Sequence, residues 1–355
     1  MPLSATGLGG GAASLFRNSG GGVLYPFTSA YFTVSRAIAN DTNGSNSGAH
    51  RYGPTQSQVR SWLSGSSNGG GSHSWANTYV DCPTQGYQRW TIPATGEYKI
   101  IAKSGGGGRT ENSQDIPGVK VTANFDLVAG EQLILVAGQG VPRYTGDHCN
   151  GGGGASWVMS GGNKATCVPL IVAAGSGGDT SDGGQKQNPN TSLSSSYTIT
   201  PTSGEGGGPS VTGKVTSAIN GPATVAQYGR GSQNTSQPNS GGWLSDGYDY
   251  QTNNGGHGFR TDLIGGTRNN STAGDGGFGG GSGGADEYGN AGGGFTGAYG
   301  VDNGAITGCG SSFVNDNNKG NVSVVLAAPS AGVFQASNYT SGDQMNGWVY
   351  IEFIG

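Results

Sequence analysis

Charged side chains are scarce in this sequence, and apolar ones are few. Only 11% of its 355 residues are Asp, Glu, Lys or Arg and 32% are hydrophobic, against about 25% and 45–50% in an ordinary globular domain. The length leaves room for two domains, but the shortage of apolar side chains excludes one large core. No Lys or Arg stands next to another and the net charge is −4, so the basic footprint of a nucleic-acid or anionic-membrane binder is missing. No apolar run approaches the ~20 residues of a membrane span. The start, Met1-Pro2-Leu3-Ser4-Ala5-Thr6-Gly7, lacks the basic and apolar segments of a secretory signal, so synthesis in a cytoplasm without Sec-type export is expected. Catalytic frames are missing too. His50, His73, His148 and His257 lie in polar or glycine-rich stretches outside any GxSxG or HExxH pattern, and no Gly-Lys-Ser/Thr ending opens a helix. The expectation is a non-enzyme with no cofactor and no metal. Asp246-Gly247-Tyr248-Asp249 and Asp286-Glu287 lack the spacing of a calcium loop and read as solvated turns.

Glycine, by contrast, is abundant, with 74 residues. Each loses more conformational freedom on folding than any other residue type, so something besides side-chain burial must order these stretches. Disorder is the competing reading. Disordered chains are poor in aromatics, whereas 6 Trp, 15 Tyr and 10 Phe recur among these glycines. In the run 274–285 the non-glycines fall at Asp275, Phe278, Ser282 and Ala285, close to the three-residue repeat of a polyproline-II-type helix. Such helices have no internal hydrogen bonds and must satisfy one another laterally. Further candidates lie at 105–108, 151–154, 175–178, 204–208 and 292–294. Collagen is excluded, because 14 prolines without a strict Gly-X-Y register cannot support it.

Strand patterns bracket the glycine. Residues 88–93 and 97–102, joined by a turn at 94–96, read as two strands of one antiparallel sheet. Further strands are expected at 118–127, 132–137, 168–174, 312–314, 322–326 and 347–354, with apolar stretches at 23–27 and 31–34. A short helix is expected over 53–63, with Pro54 in its first turn and Val59, Trp62 and Leu63 on one face, docked on the sandwich. The organisation predicted is an N-terminal attachment or assembly region at 1–85, an all-β sandwich at 86–175 plus 305–355, and an inserted bundle of polyglycine-II helices at 176–304.

The order of Gln88-Arg89-Trp90-Thr91-Ile92-Pro93-Ala94-Thr95-Gly96-Glu97-Tyr98, Leu127-Val128-Ala129-Gly130-Glu131-Gln132-Leu133, Gly138-Gln139-Gly140, Pro169-Leu170-Ile171-Val172-Ala173-Ala174-Gly175 and Gly347-Trp348-Val349-Tyr350-Ile351 resembles the glycine-rich domain of anaplastic-lymphoma-kinase-type receptors over residues 88–355. The resemblance implies a jelly-roll, tumour-necrosis-factor-like sandwich carrying polyglycine helices. The chain departs from those receptors in having no kinase and no membrane span. The leader from Arg51-Tyr52-Gly53-Pro54 to Gln85-Gly86-Tyr87-Gln88 is similar to segments of glycine-rich structural proteins of tailed phages, marine and cyanobacterial ones especially. That likeness implies a virion appendage, a tail fibre or fibre-tip adhesin that attaches to a host surface glycan or protein receptor and assembles with other virion proteins, as a homo-oligomer with a trimer favoured. A self-assembling fibre or surface-layer protein without receptor binding is the alternative.

Two sets of residues stand out as sites. Trp243, Tyr248, Tyr250, His257 and Phe259 crowd into a span of otherwise small, polar residues. Aromatics beside Asn, Asp and Gly suit stacking on sugar rings or anchoring a protein contact, because they offer rigid area at low entropic cost. Residue by residue, the competing role is to cap glycine helices or close gaps over the sandwich. Of Cys82, Cys149, Cys167 and Cys309, none has zinc-site spacing, and both two bridges and four thiols are open. Cys149 and Cys167 flank a glycine-rich segment that reads as a connection between two strands, and they are the candidate disulfide pair.

Overall fold

The computed structural model describes residues 15–17, 24–26, 30–32, 49–64, 80–108, 116–141, 150–179, 188–202, 209–221, 224, 227–250, 253–269, 273–285, 290–300, 307–327 and 346–355. Cys149, the run 204–208 and the pair Asp286-Glu287 lie outside the described residues. In chain order the elements are β1 (Leu15–Arg17), β2 (Leu24–Pro26), β3 (Ala30–Phe32), α1 (Gln56–Ser64), β4 (Val80–Thr84), β5 (Tyr87–Thr91), β6 (Gly96–Lys103), β7 (Val119–Leu127), β8 (Gln132–Val136), β9 (Ser156–Ser160), β10 (Val168–Ala173), β11 (Leu193–Ile199), β12 (Val211–Thr216), β13 (Phe313–Asn315), β14 (Ser323–Leu326) and β15 (Trp348–Phe353). Strands β1 and β2 pair with each other. The rest form an eight-stranded antiparallel sheet, β11-β12-β13-β10-β9-β8-β5-β4, and a five-stranded one, β14-β7-β6-β15-β3.

The two sheets face each other across a core that includes Trp90, Tyr98, Ile100, Val121, Phe125, Leu133, Leu135, Val158 and Ile351. The eight-stranded sheet is also buried on its other face. Along β8, Leu133 and Leu135 enter the inter-sheet core, while Ile134 and Val136 belong to a second cluster with Trp157, Met159, Val172, Trp243, Phe259, Phe278, Phe295 and Phe313. That double burial explains the unbroken apolar runs of β8 and β10, since a strand covered on both faces has no position left for a polar side chain.

The expected hairpin of 88–102 is corrected. Strands β5 and β6 are consecutive but lie in different sheets. Trp90 and Tyr98 both turn into the inter-sheet core, ring centroids 6.1 Å apart and edge to face, and the Tyr98 hydroxyl donates to the Ala94 carbonyl at 2.7 Å. The link between the strands therefore crosses the end of the core. Its counterpart, between β7 and β8, crosses back, so β5 pairs with β8 while β6 pairs with β7.

Two boundaries of the expected organisation also shift. Strands β11 and β12 fall within 176–304 yet extend the eight-stranded sheet, and β3 and β4 fall within 1–85 yet pair with β15 and β5. Helix α1 forms within the expected span but starts at Gln56, after Pro54; it packs on β4 and buries Val59 in the inter-sheet core, while the side chains of Trp62 and Leu63 lie outside the described residues. Among the described residues no helix is long and apolar enough to cross a membrane.

The glycine-rich part is a body of extended segments without strand or helix, and five of them are direct continuations of strands. At one end of the sandwich β6 runs into 104–108, β8 into 138–141 and β10 into 174–179, while 150–155 leads into β9 and 307–312 into β13. Segments from within 176–304, at 239–243, 254–258, 264–267, 274–285 and 290–297, pack among these and over the second face of the eight-stranded sheet. The body is thus not confined to an insert. Its backbone hydrogen bonds run sideways. Asn150 and Gly153 donate to the carbonyls of Asp179 and Ser176, Gly108 and Gly105 to those of Gly151 and Gly154, Gly178 and Gly175 to those of Asn290 and Gly293, and Ser240 and Trp243 to those of Ala298 and Phe295, at 2.8–3.0 Å. In each case donors three residues apart meet acceptors three residues apart, running the opposite way. The positions between them face other neighbours: Gly152 donates to Ser282, Gly154 to Gln139 and Ala155 to Gly279. A segment that repeats every three residues and bonds in several directions satisfies its buried amides with no strand partner.

Such spacing leaves no room for a side chain. A Cβ on Gly151, Gly152, Gly153 or Gly154 would lie on the backbone of 275, 291, 105–106 or 278 respectively, well inside van der Waals contact. Backbone cannot move aside as a flexible side chain can. Gly154→Ala should therefore cost at least about 3 kcal/mol of unfolding free energy, the upper range for overpacking. Gly130→Ala, at a turn with φ +87° and nothing within 4 Å, should cost only the backbone strain of about 1–2 kcal/mol. Denaturant unfolding of the two variants compares them directly, and equal losses would contradict this packing.

Candidate functional site

The segment 239–264 carries all five aromatic and histidine candidates, and the structure divides them. Trp243 and Phe259 are each 0% exposed. They are corrected from contact residues to anchors that hold the glycine body on the sheet. The Trp243 ring stacks on Phe295 at 5.7 Å, and Phe295 stacks on Phe313 of β13 at 4.3 Å. Phe259 lies against Trp157 of β9 at 5.2 Å and meets the edge of Tyr87 of β5 at 5.3 Å, and the Tyr87 hydroxyl donates to the Phe259 carbonyl at 2.8 Å. Above them the Arg260 guanidinium covers the Trp243 ring at 5.4 Å and donates to the Lys164 carbonyl at 3.1 Å. The gap-closing role weighed against receptor contact is the one these two residues have.

Tyr248, Tyr250 and His257 stay at the surface. Tyr248 is 39% exposed, and the other two are partly buried. Their positions are set by short polar side chains that bond the backbone. Asp246 Oδ1 accepts the Gly258 N–H at 2.7 Å, and Asp249 Oδ1 accepts that of Gly255 at 2.8 Å. Asn254 Oδ1 accepts from Tyr250 N–H at 2.9 Å, and Asn239 Nδ2 donates to the Tyr248 carbonyl at 3.2 Å. The lattice joins in, with Tyr248 N–H donating to Ser232 and Gly247 N–H to Gly256, each at 2.9 Å. The acidic pair Asp246 and Asp249, read from sequence as solvated turns, thus pins two glycines of the following loop. Leu263 closes the segment in the left-handed region, at φ +59° and 0% exposed. Its carbonyl accepts the N–H groups of Gly279 and Gly280, which holds a conformation that costs a side-chain-bearing residue about 1–3 kcal/mol.

His257 Nδ1 lies 2.6 Å from Asp262 Oδ1. This bond raises the imidazole above its usual range against the opposing effect of burial, and the charges of Asp262, Asp246 and Asp249 add to the rise. Burial pushes the Asp262 carboxyl up, but the His257 bond and the Ile264 N–H outweigh it and hold the group below the usual carboxylate range. The surface therefore combines one phenol ring in the open, a second beside it in sequence, carboxylates and an ionisable imidazole. Such a set can stack on a flat apolar face and exchange hydrogen bonds with hydroxyls. Among the described residues there is no group of three or more His, Cys, Asp or Glu that could hold a metal ion. No protein-family model matches the chain, and a search of curated proteins finds no match either.

Of the candidate disulfide pair, Cys149 lies outside the described residues. Cys167 is a free thiol, 1% exposed, which donates to the Lys164 carbonyl at 3.5 Å. It precedes β10 beside the far end of β9, where Val168 pairs with Ser160. Cys82 is also a buried thiol, and buried Cys309 accepts the Gly177 N–H on its sulfur at 3.3 Å. Burial pushes Cys82 up to about 11 and Cys167 and Cys309 to about 12, so all three are poor nucleophiles.

Two outcomes follow from this division. Trp243→Ala should destabilise the fold by about 3–5 kcal/mol, the cost of emptying a large buried ring site, as read by denaturant unfolding. A result under about 1 kcal/mol would place the ring at the surface. The His257–Asp262 pair should stabilise the fold only within a pH window. The raised imidazole contributes below its unfolded value of about 6.5 and stops contributing as pH rises through its folded value. The lowered carboxyl contributes above about 4 and stops as pH falls through its folded value. With each side chain 36% exposed, Asp262→Asn should cost under about 1 kcal/mol near pH 5.5 and nearly nothing at pH 9. Equal losses at both pH values would show that the ion pair contributes nothing.

Proposed function

We propose that this chain is a non-enzymatic structural and adhesive protein of a virion, a tail fibre or fibre-tip adhesin, in which a rigid glycine body on a β-sandwich presents Tyr248, Tyr250 and His257 to a host surface. The observation that carries the reading is the way Tyr248 is held. It is exposed, yet its own N–H and C=O and the glycine before it are all bonded to the lattice. An exposed aromatic on a fixed backbone loses little entropy on binding, which is the economy a contact surface needs. In this reading the sandwich is a jelly roll, an assignment supported by the crossing of β5–β6 and β7–β8 between the sheets. The three-residue segments are polyglycine-II helices, supported by their sideways hydrogen bonds. The ligand is a neutral glycan or a protein surface, because Asp246, Asp249 and Asp262 crowd the surface and would repel an anionic one. The partners are other virion proteins and further copies of the chain. The burial of Trp243 and Phe259 favours the second reading, a self-assembling fibre or surface-layer protein without receptor binding, since it leaves three of the five candidates at the surface.

Binding of the purified chain to host cells separates the two. Tyr248→Ala with Tyr250→Ala should weaken binding by about 30-fold or more, the effect of losing roughly 2 kcal/mol at a hot spot, while unfolding stays unchanged. Unaltered binding would remove the contact assignment. Immunogold labelling of purified particles should decorate tail or capsid fibres, and labelling of virion-free filaments instead would overturn the virion assignment.

A further inference from the structure

The outer strands of the two sheets are not protected alike. An open sheet edge offers unpaired N–H and C=O groups to any other strand, and monomeric proteins blunt such edges with short strands, proline, charge, bulges or a covering element. Strand β4, at one end of the eight-stranded sheet, has nearly all of these. It contains Pro83, its Asp81 binds Arg89 at 2.6 Å, its register with β5 shifts between Asp81 and Thr84, and helix α1 packs on it. The edges of the five-stranded sheet, β14 and β3, are only 4 and 3 residues long.

Among the described residues strand β11, at the other end of the eight-stranded sheet, has none of these protections except a register shift near its start. It is 7 residues long, Leu193-Ser194-Ser195-Ser196-Tyr197-Thr198-Ile199, without a charge, proline or glycine. Among the described residues it pairs with β12 alone. From Ser196↔Lys214 to Ile199↔Val211 the register is regular, the shift falling earlier, between Leu193 and Ser196. The strand is also firmly held. Thr198 bonds Thr212, Thr200 bonds Ser210 and Ser196 bonds Asp316, each at 2.9 Å, and the Tyr197 ring meets the edge of Tyr228 at 5.3 Å. The edge is therefore a rigid, neutral, hydroxyl-rich template.

We propose that β11 is the contact through which two copies of this chain associate, their β11 strands pairing antiparallel about a two-fold axis to join the eight-stranded sheets. A second copy is the occupant the chemistry favours. Each chain carries a net charge of −4 and copies repel one another, but this strip adds no charge to that repulsion. The main-chain N–H and C=O groups along an open strand edge pair with those of a second, antiparallel copy, so the edge is complementary to itself, as a two-fold contact requires. A foreign partner selected by charge would find none on the strand itself. Two-fold pairing also closes at two copies, which replaces the trimer expected from resemblance. The inference rests on the sheet alone and stands or falls apart from the adhesive reading.

Sedimentation velocity on the full chain tests it, with Ser196→Lys plus Thr198→Lys on the β11 edge and Ser323→Lys, exposed on β14, as the control. The parent and the control should sediment as dimers that dissociate on dilution, and the β11 variant as a monomer. A parent that is monomeric or trimeric, or a β11 variant that dimerises like the parent, overturns the proposal. Should the β11 variant fail to fold, hydrogen exchange of the parent replaces it. Amides of 193–199 should be protected at high concentration and exchange faster on dilution, and protection independent of concentration overturns the proposal.

Discussion

Two backbones can approach closely enough to hydrogen-bond on several sides only where the positions that face the neighbouring backbone carry no Cβ. The glycine body depends on that condition throughout. Segment 150–155 exchanges hydrogen bonds with 105–108, Gln139, 176–179, 277–279, Ser282 and Gly293. A strand would bond to two neighbours at most. Each glycine brings a large entropic cost of ordering and almost no apolar surface, so hydrophobic burial cannot offset it. What offsets it is the number of satisfied amides, each contributing about 0.5–1.5 kcal/mol net, and the larger penalty of leaving any one of them buried and unpaired. A lattice of this kind is cooperative, because withdrawing one segment orphans groups on all its neighbours.

The lattice does not stand by itself. It starts from strand ends, since β6, β8, β9, β10 and β13 all meet glycine segments at one end of the sandwich, and their pairing sets the spacing that the segments inherit. It is then fastened sideways by a few large rings. Trp243, Phe259, Phe278 and Phe295 are spaced among glycines and turn toward the face of the eight-stranded sheet lined by Trp157, Val172 and Phe313. The stretch before α1 adds a further tie: Arg51 Nε donates to the Gly265 carbonyl at 2.8 Å, and the Phe278 N–H donates to that of His50 at 2.8 Å. Sheet and body each cover what the other would expose, which is why so small an apolar fraction suffices for a chain of this length.

Much of this was legible in the residues, and the misreadings have physical causes. Strands with apolar alternation or runs, such as β7, β8, β10 and β15, stand where the sequence pattern places them, because burial on one or both faces dictates that pattern. Strand β9 was missed. Its five residues follow a glycine run, and only Trp157, Val158 and Met159 signal burial. Strands β11 and β12 were missed because at the margin of a sheet Ser and Thr replace the apolar residues that periodicity detects. The pairing of β5 with β8 could not be read locally, since a turn within one sheet and a crossing between two use the same short link. At the site, an aromatic among glycines has the same local sequence whether it points outward or inward. Trp243 and Phe259 were therefore indistinguishable from Tyr248 until the sheet beneath them was known. The Asp and Asn residues that shape the surface carry a fainter signal, a carboxylate or amide a few residues before a glycine whose N–H it accepts.

Buried glycine amides in this fold are ordered by backbone bonding as firmly as those of strands. Native-state hydrogen exchange measures that directly, residue by residue. The bonded amides of Gly152, Gly153, Gly154, Gly175 and Gly293 should exchange as slowly as those of β8 and β9, through the same global opening. Exchange of these glycines at the rate of open loops, with β8 and β9 still protected, would contradict it.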